Sequence, residues 1–320
     1  MLTLTDSLAI ITNNLLSIGI ITLLTVVFIR GLKRSDAEDE QSIIKENSRY
    51  LTIRGKRLRL VCMIFDPEAP IIYFIHGLGG QAMQWECQIE YFRHKRFNVL
   101  AVDMVGAGKS DVSYSWDDYT TESLVDDLYE VTQNYPDNKL ILVCHSYGCC
   151  LGAKLYPKIK DRVNGMVIIS AKLELTETND KNRKIVANLP NVMFDVLRLI
   201  DRLGGTRSSS VRRMISPKAS EDVKRKQLTW NKQSRTPAFK RMMNGMVWLT
   251  QDEWRAVDCN LLMINGSEDE VSPPENLMKA VKTFKNVLIM NVDDTGHMPM
   301  VERPDSVNDA INEFIGQLSD

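Results

Sequence analysis

Six short runs of apolar, largely β-branched residues constrain this chain more than any other feature: residues 71–75, 99–102, 140–143, 167–169, 261–264 and 287–290. Each is continuous rather than alternating, as in a strand covered on both faces. Helical periodicity fills much of the sequence between them, at 83–92, 121–134 and 147–155, with a last stretch at 303–318 that opens on Arg303-Pro304-Asp305. Strands alternating with helices predict an α/β fold with a doubly wound, mostly parallel sheet. Ahead of the first run, residues 50–54 and 57–65 alternate apolar and polar around Gly55-Lys56. That hairpin supplies an antiparallel edge and brings the expected sheet to eight strands.

The alternation breaks between about residues 172 and 255, where no strand pattern is found and the apolar residues Val192, Met193, Phe194, Val196, Leu197, Leu199, Ile200 and Leu203 recur at helical spacing. This stretch reads as a helical insertion, or cap, between the sixth and seventh core strands. Residues 172–250 hold 17 Lys+Arg against 7 Asp+Glu, a local charge of +10, within a chain whose net charge is −1. The near-neutral total argues against a nucleic-acid-binding protein. With 44% hydrophobic and 25% charged residues in 320, the chain is an ordinary globular one with ample residues for a core. Its six cysteines form no C-x-x-C pair, so no metal site is expected, and the adjacent Cys149 and Cys150 favour free thiols in a reducing compartment.

Residues 8–29 carry no charge, and 15–29 are almost wholly apolar. As a helix they would extend roughly 33 Å, enough to cross a hydrocarbon core. A cleaved signal peptide would want positive charge before the run. Here Asp6 precedes it, and Arg30, Lys33 and Arg34 follow. The reading is an uncleaved single-pass transmembrane helix at 8–29, a charged linker at 30–48, and a globular domain from 49 to 320. The positive-inside bias puts that domain in the cytosol. The glycosylation sequon Asn265-Gly266-Ser267 offers a weak cross-check, because a lumenal domain would risk a glycan beside the site described next.

The chemistry begins at Cys144-His145-Ser146-Tyr147-Gly148, which ends a strand and opens a helix. A sharp strand-to-helix turn projects a serine Oγ above the sheet, and it needs small residues two positions either side. Gly148 meets that need; Cys144 stands where glycine is usual. A serine needs a base held by a carboxylate. Of four histidines, His94 lies among Arg93, Lys95 and Arg96, His145 should point away from its neighbour, and His76 reads as a loop-shaping residue. His297, just past the last strand, is the base. The acid is expected on a loop after a strand, between serine and histidine in chain order. Asp269, in Gly266-Ser267-Glu268-Asp269-Glu270, is the choice, with Glu268 and Glu174 as alternatives. Oxyanion donors are expected from the backbone N–H groups of Tyr147 and of Leu78, the latter in the turn His76-Gly77-Leu78-Gly79-Gly80, whose glycines let a substrate approach. Gly106-Ala107-Gly108-Lys109-Ser110 imitates a phosphate-binding loop but has Asp103 where that motif requires glycine, so no nucleotide site is expected.

These motifs, together with Asp103 to Ser110, Gly266…Asp269…Pro273 and Gly296-His297, occur in the order and spacing of the α/β-hydrolase fold superfamily, which the chain resembles from about residue 50 to 317. Within it the chain looks most like membrane-associated serine hydrolases of the abhydrolase-domain group, lipase-like or esterase-like. The resemblance implies ester hydrolysis through Ser146, His297 and Asp269 without a cofactor. Relatives with an aspartate nucleophile share the architecture, and Ser146 argues against them. Others carry His-x4-Asp and are linked to lysolipid acyl transfer; here Glu302 stands in that place. The expected substrate is a lipid ester met at a membrane reached through the N-terminal helix and the basic cap, with Phe194, Leu197 and Ile200 as candidates to line an acyl-chain channel. A lysolipid acyltransferase and a non-catalytic, membrane-tethered scaffold are the alternatives.

Overall fold

The computed structural model describes residues 42–174 and 177–318. Its sheet has eight strands: β1 (Ser48–Ile53), β2 (Lys56–Met63), β3 (Ile71–Ile75), β4 (Asn98–Val102), β5 (Leu140–His145), β6 (Val163–Ile169), β7 (Asn260–Gly266) and β8 (Val287–Val292). They lie in the order β1-β2-β4-β3-β5-β6-β7-β8. The five pairings from β4 to β8 are parallel, but β1–β2 and β2–β4 are antiparallel. The sheet is therefore mixed, and the antiparallel part reaches one strand further inward than the hairpin alone predicts. The reason is the short connection 64–70, which reverses the chain after β2 and leaves β4 to enter between β2 and β3. The hairpin turn is Arg54-Gly55, both at positive φ (49° and 78°), a two-residue turn whose twist matches the strands it joins. Lys56 belongs to β2, where it is buried with its amine 2.8 Å from Asp127.

Strands β3, β4 and β5 are buried on both faces, as continuous apolar runs require. Alternate side chains feed two core layers. Ile71, Tyr73 and Ile75 meet one layer, which includes Leu124 and Leu128 of α3 (Thr121–Thr132) and Leu151 of α4 (Tyr147–Leu155). Ile72 and Phe74 meet the other, with Ile89 and Phe92 of α2 (Glu86–His94) and Ile311 of α13 (Pro304–Gln317). Each fully buried side chain of this size contributes about 1.5–3 kcal/mol. Strand β8 departs from expectation. As the sheet's last strand it is half open, and Leu288 and Ile289 are exposed. The short helix α1 (Ser42–Glu46) precedes β1, α11 (Glu275–Thr283) joins β7 to β8, and α12 (Pro299–Glu302) leads into α13.

Between β6 and β7 the described residues form only helices: α5 (Glu177–Ala187), α6 (Asn191–Leu203), α7 (Ser209–Arg212), α8 (Glu221–Gln233), α9 (Thr236–Gly245) and α10 (Gln251–Arg255). Their starts are written in the sequence. The hydroxyls of Ser208, Ser220 and Thr250 accept from the backbone N–H three residues on, and Thr250 with Glu253 completes a capping box. Phe194 is buried, but Leu197 and Ile200 are more than half exposed. They face away from the fold and cannot line an acyl-chain channel. Among the described residues no helix is long and apolar enough to cross a membrane. The segment 8–29 and most of the linker lie outside the described residues.

A buried ion pair anchors the loops above β3 and β4. Asp103 accepts from Arg59 (3.2 Å), Ala82 N (2.6 Å) and Lys109 N (2.9 Å), and both charged side chains are inaccessible. The Gly106–Ser110 loop thus wraps around a carboxylate, which uses the amide that a phosphate would need. Removing one partner of such a pair leaves a buried, uncompensated charge. Asp103→Ala is expected to lower the unfolding free energy by about 3–5 kcal/mol, read as a fall in the urea midpoint with an unchanged m-value.

Candidate active site

Ser146 sits between β5 and α4 with φ 54° and ψ −122°, a conformation non-glycine residues adopt only when their surroundings enforce it. The enforcement is a close approach of backbones. A Cβ at Gly148 would lie 2.5 Å from the carbonyl of Ile75 and 2.6 Å from that of His76, so helix and strand could not sit this close with any other residue there. At the other small position, Cys144 is accommodated because residue 152 is glycine: a Cβ there would fall 2.5 Å from the Cys144 sulfur. The backbone is pinned by Ser146 N–H donating to the Ile169 carbonyl (2.9 Å).

Ser146 Oγ lies 2.8 Å from His297 Nε2, and His297 Nδ1 lies 2.9 Å from Asp269 Oδ2 and 3.1 Å from Oδ1. The imidazole and carboxylate are buried, and the serine is half-buried. Asp269 Oδ1 also accepts from the backbone N–H groups of Val271 and Ser272, both at 2.8 Å. Burial pushes the Asp269 carboxyl up, but the His297 imidazole and these donors outweigh it and hold it below its ordinary value. An ionised Asp269 fixes the proton on Nδ1 and leaves Nε2 free to accept from the serine hydroxyl.

The loop from His76 to Gly80 lies against the serine. A Cβ at Gly77 would be 2.9 Å from Ser146 Cβ and 3.4 Å from Tyr147 N. His76 accepts from Met104 N at Nε2 (3.1 Å), so Nδ1 donates to the Gly77 carbonyl (2.8 Å), and burial keeps the ring neutral by lowering its pKa. Half-buried Leu78 follows, and the Phe239 ring rests on Gly79. Tyr147 is buried, its hydroxyl 2.8 Å from Thr121. The other candidates are engaged by other partners. Glu174 is paired with Lys279 (2.6 Å), Glu268 with Lys218 (2.8 Å) and Ser216 (2.5 Å), and exposed His94 with Glu90 (2.7 Å).

Residues 70–304 match the family model described as alpha/beta hydrolase fold. The chain belongs to the α/β-hydrolase family. It is 30% identical to the abhydrolase domain-containing protein C57A10.08c of Schizosaccharomyces pombe over 265 residues, which cover 78% of this chain and 71% of that protein. It is 24% identical to the protein ABHD8 of Homo sapiens over 256 residues, 77% of this chain and 55% of that one, so it spans little more than half of ABHD8. A solved structure, a thermophilic esterase from Thermogutta terrifontis, superposes with a TM-score of 0.73 at 20% identity, covering 85% of this chain and 98% of the esterase. At that identity the likeness shows the shared fold.

On this α/β-hydrolase frame several residues hold the site without standing out in the sequence. His145 donates from Nε2 to the His297 carbonyl (2.8 Å); burial first, then the neighbouring imidazole, lowers its pKa to about 3, so it stays neutral. A strap from the insertion crosses the histidine loop. His297 N donates to the Met214 carbonyl (2.9 Å), while Glu302 accepts from Gly296 N and Ser216 N, both at 2.9 Å. Ser216 also donates to Glu268, beside Asp269, so the strap ties together the acid and histidine loops. Asn265 is fully buried, its amide donating to the carbonyls of Ser272 and Gly266. A glycan on Asn265 could not be accommodated in this fold.

Burial raises the Glu302 carboxyl from 4.5 to about 7, against the pull of the Ser216 and Gly296 N–H groups. A carboxyl raised in the folded state stabilises fully below its unfolded value, and that contribution is lost as pH rises through the folded value. Glu302→Gln removes this dependence. Between pH 5 and 7 the wild type is expected to lose up to about 1 kcal/mol per pH unit relative to the variant, measured by urea unfolding at each pH.

Proposed function

We propose that this chain is a serine hydrolase of carboxylic esters that acts on lipid esters at a membrane surface. One observation carries the reading: the continuous hydrogen-bond chain from Asp269 through His297 to the strained Ser146, at the carboxyl ends of parallel strands. In this mechanism Ser146 Oγ attacks the acyl carbonyl as His297 Nε2 takes its proton. The ionised Asp269 stabilises the imidazolium and keeps its orientation. The N–H groups of Leu78 and Tyr147 receive the developing oxyanion. His297 then protonates the leaving alcohol. Water, deprotonated by His297, resolves the acyl-enzyme and restores the serine. Every step uses the chain's own residues and water.

Beside the oxyanion loop a small cleft of about 20 Å³ is lined by Val105, Trp230, Phe239 and Met242 and by the polar side chains of Gln81, Gln233 and Arg235. Support for a membrane setting comes from residues 8–29 as a single-pass anchor and from the basic insertion. Arg30, Lys33 and Arg34 then put the catalytic domain on the cytosolic face.

The test is hydrolysis of a short-chain ester and of a monoacylglycerol or lysophospholipid in vesicles. Ser146→Ala and His297→Ala are expected to lower kcat by about 10³-fold or more, and Asp269→Asn by about 10²–10⁴-fold, with KM little changed. Turnover of the variants equal to wild type would sink the mechanism. Added lysolipid acceptor separates the neighbouring activity: acylated acceptor as the main product would make the chain an acyltransferase. Inert, folded wild type would favour the scaffold reading.

A further inference from the structure

Helix α6 is mounted inside out. Val192, Met193, Leu197, Ile200 and Leu203 are 73, 52, 52, 61 and 78% exposed. At 100° per residue they share one arc of about 140°. On the opposite side Phe194 is buried and Arg198, Asp201 and Arg202 are half-buried, while Asn191 and Asp195 are exposed, and the polar groups there are paired. Arg198 donates to Thr236 (2.9 Å) and to the Asn231 carbonyl (2.6 Å), Arg202 donates to the same carbonyl (2.8 Å), Thr236 donates to Asp195 (2.5 Å), and Ser210 donates to Asp201. Buried Phe194 packs on Phe239 at 6.0 Å between ring centres. Rolling the helix over would break these hydrogen bonds and expose Phe194, so the apolar face stays outward by construction.

We propose that this outward face of α6 is a docking surface for an anionic lipid bilayer. Charge singles out that occupant. The insertion carries +10 in residues 172–250 and the rest of the chain −11. Arg207, Arg212 and Arg213 follow α6; all three are exposed, with no ion pair among the described residues. An apolar stripe followed directly by exposed cations is the pattern of a helix that lies in the lipid interface, its apolar side about 5–10 Å deep. Residues 30–41 separate the apolar segment 8–29 from α1, and an extended chain of that length reaches roughly 40 Å, enough for the insertion to turn toward the bilayer that holds the anchor. Docked this way, α6 is linked to the glycine turn beside Ser146 through Phe194, Phe239 and Gly79. This deepens the proposed function but stands apart from its catalytic step.

Amide hydrogen exchange of residues 191–203 in the full chain tests it, in phosphatidylcholine vesicles with and without phosphatidylserine and in detergent. Exchange is expected to slow by about fivefold or more when phosphatidylserine is present. A Leu197→Asp, Ile200→Asp double variant should lose that slowing while keeping its unfolding midpoint, since both side chains are exposed in the folded protein. Equal exchange with and without phosphatidylserine would overturn the proposal. So would slowing in detergent that grows with protein concentration, which would assign the face to a second copy of the chain. Because the readout is exchange rather than turnover, a catalytically dead protein that still docks would sink the hydrolase mechanism and leave this proposal standing.

Discussion

The structure depends on how closely α4 approaches β3. With Gly148 against the carbonyls of Ile75 and His76, the helix that follows β5 starts directly above the neighbouring strand. That leaves Ser146 no relaxed backbone conformation, and the chain holds it at φ 54° through the flanking strand and helix. Three consequences follow from one contact: an Oγ that projects out of the sheet, a helix N-terminus directly behind it, and the turn after β3 brought alongside. A helix N-terminus favours nearby negative charge. The two N–H groups proposed to receive an oxyanion thus come from the two sides of the same approach.

Parallel strands deliver the remaining parts to that point. Strands β3, β5, β7 and β8 end on one edge of the sheet, and their connections carry the glycine turn, Ser146, Asp269 and His297. Crevices outside the carboxyl ends of such strands are where open α/β sheets place their chemistry. Loops alone would leave Asp269 and His297 imprecise. The strap at Met214 to Lys218 and the buried carboxyl of Glu302 remove that freedom, because each spends backbone donors of the histidine loop or side chains of the acid loop. The insertion therefore acts twice: it covers the glycine turn with Phe239, and it braces the loop that carries His297.

Much of this was legible in the sequence because it is local. Continuous apolar runs mark strands buried on both faces, and all six proved to be strands of the sheet. The strand–Ser–helix turn and the histidine after the last run are also written within a few residues. What escaped is what depends on long separations. The His145–His297 and Glu302–Ser216 contacts join residues 152 and 86 positions apart, and no periodicity encodes them. The antiparallel β2–β4 pairing followed from where β4 inserts, not from its composition. The exposure of Leu288 and Ile289 followed from β8 lying last in the sheet. An amphipathic pattern states that a helix has two faces, not which one points inward, and at α6 the usual assumption is reversed.

The central claim is that Ser146 is activated by His297. Treatment of the full chain with a fluorophosphonate, followed by peptide mapping, tests it directly, since the reagent forms its adduct on a serine with an adjacent base. A single adduct on Ser146 in the wild type, absent in His297→Ala while that variant keeps its wild-type fold by circular dichroism, is the expected result. Equal labelling of both proteins, or an adduct on any serine other than Ser146, would contradict the account.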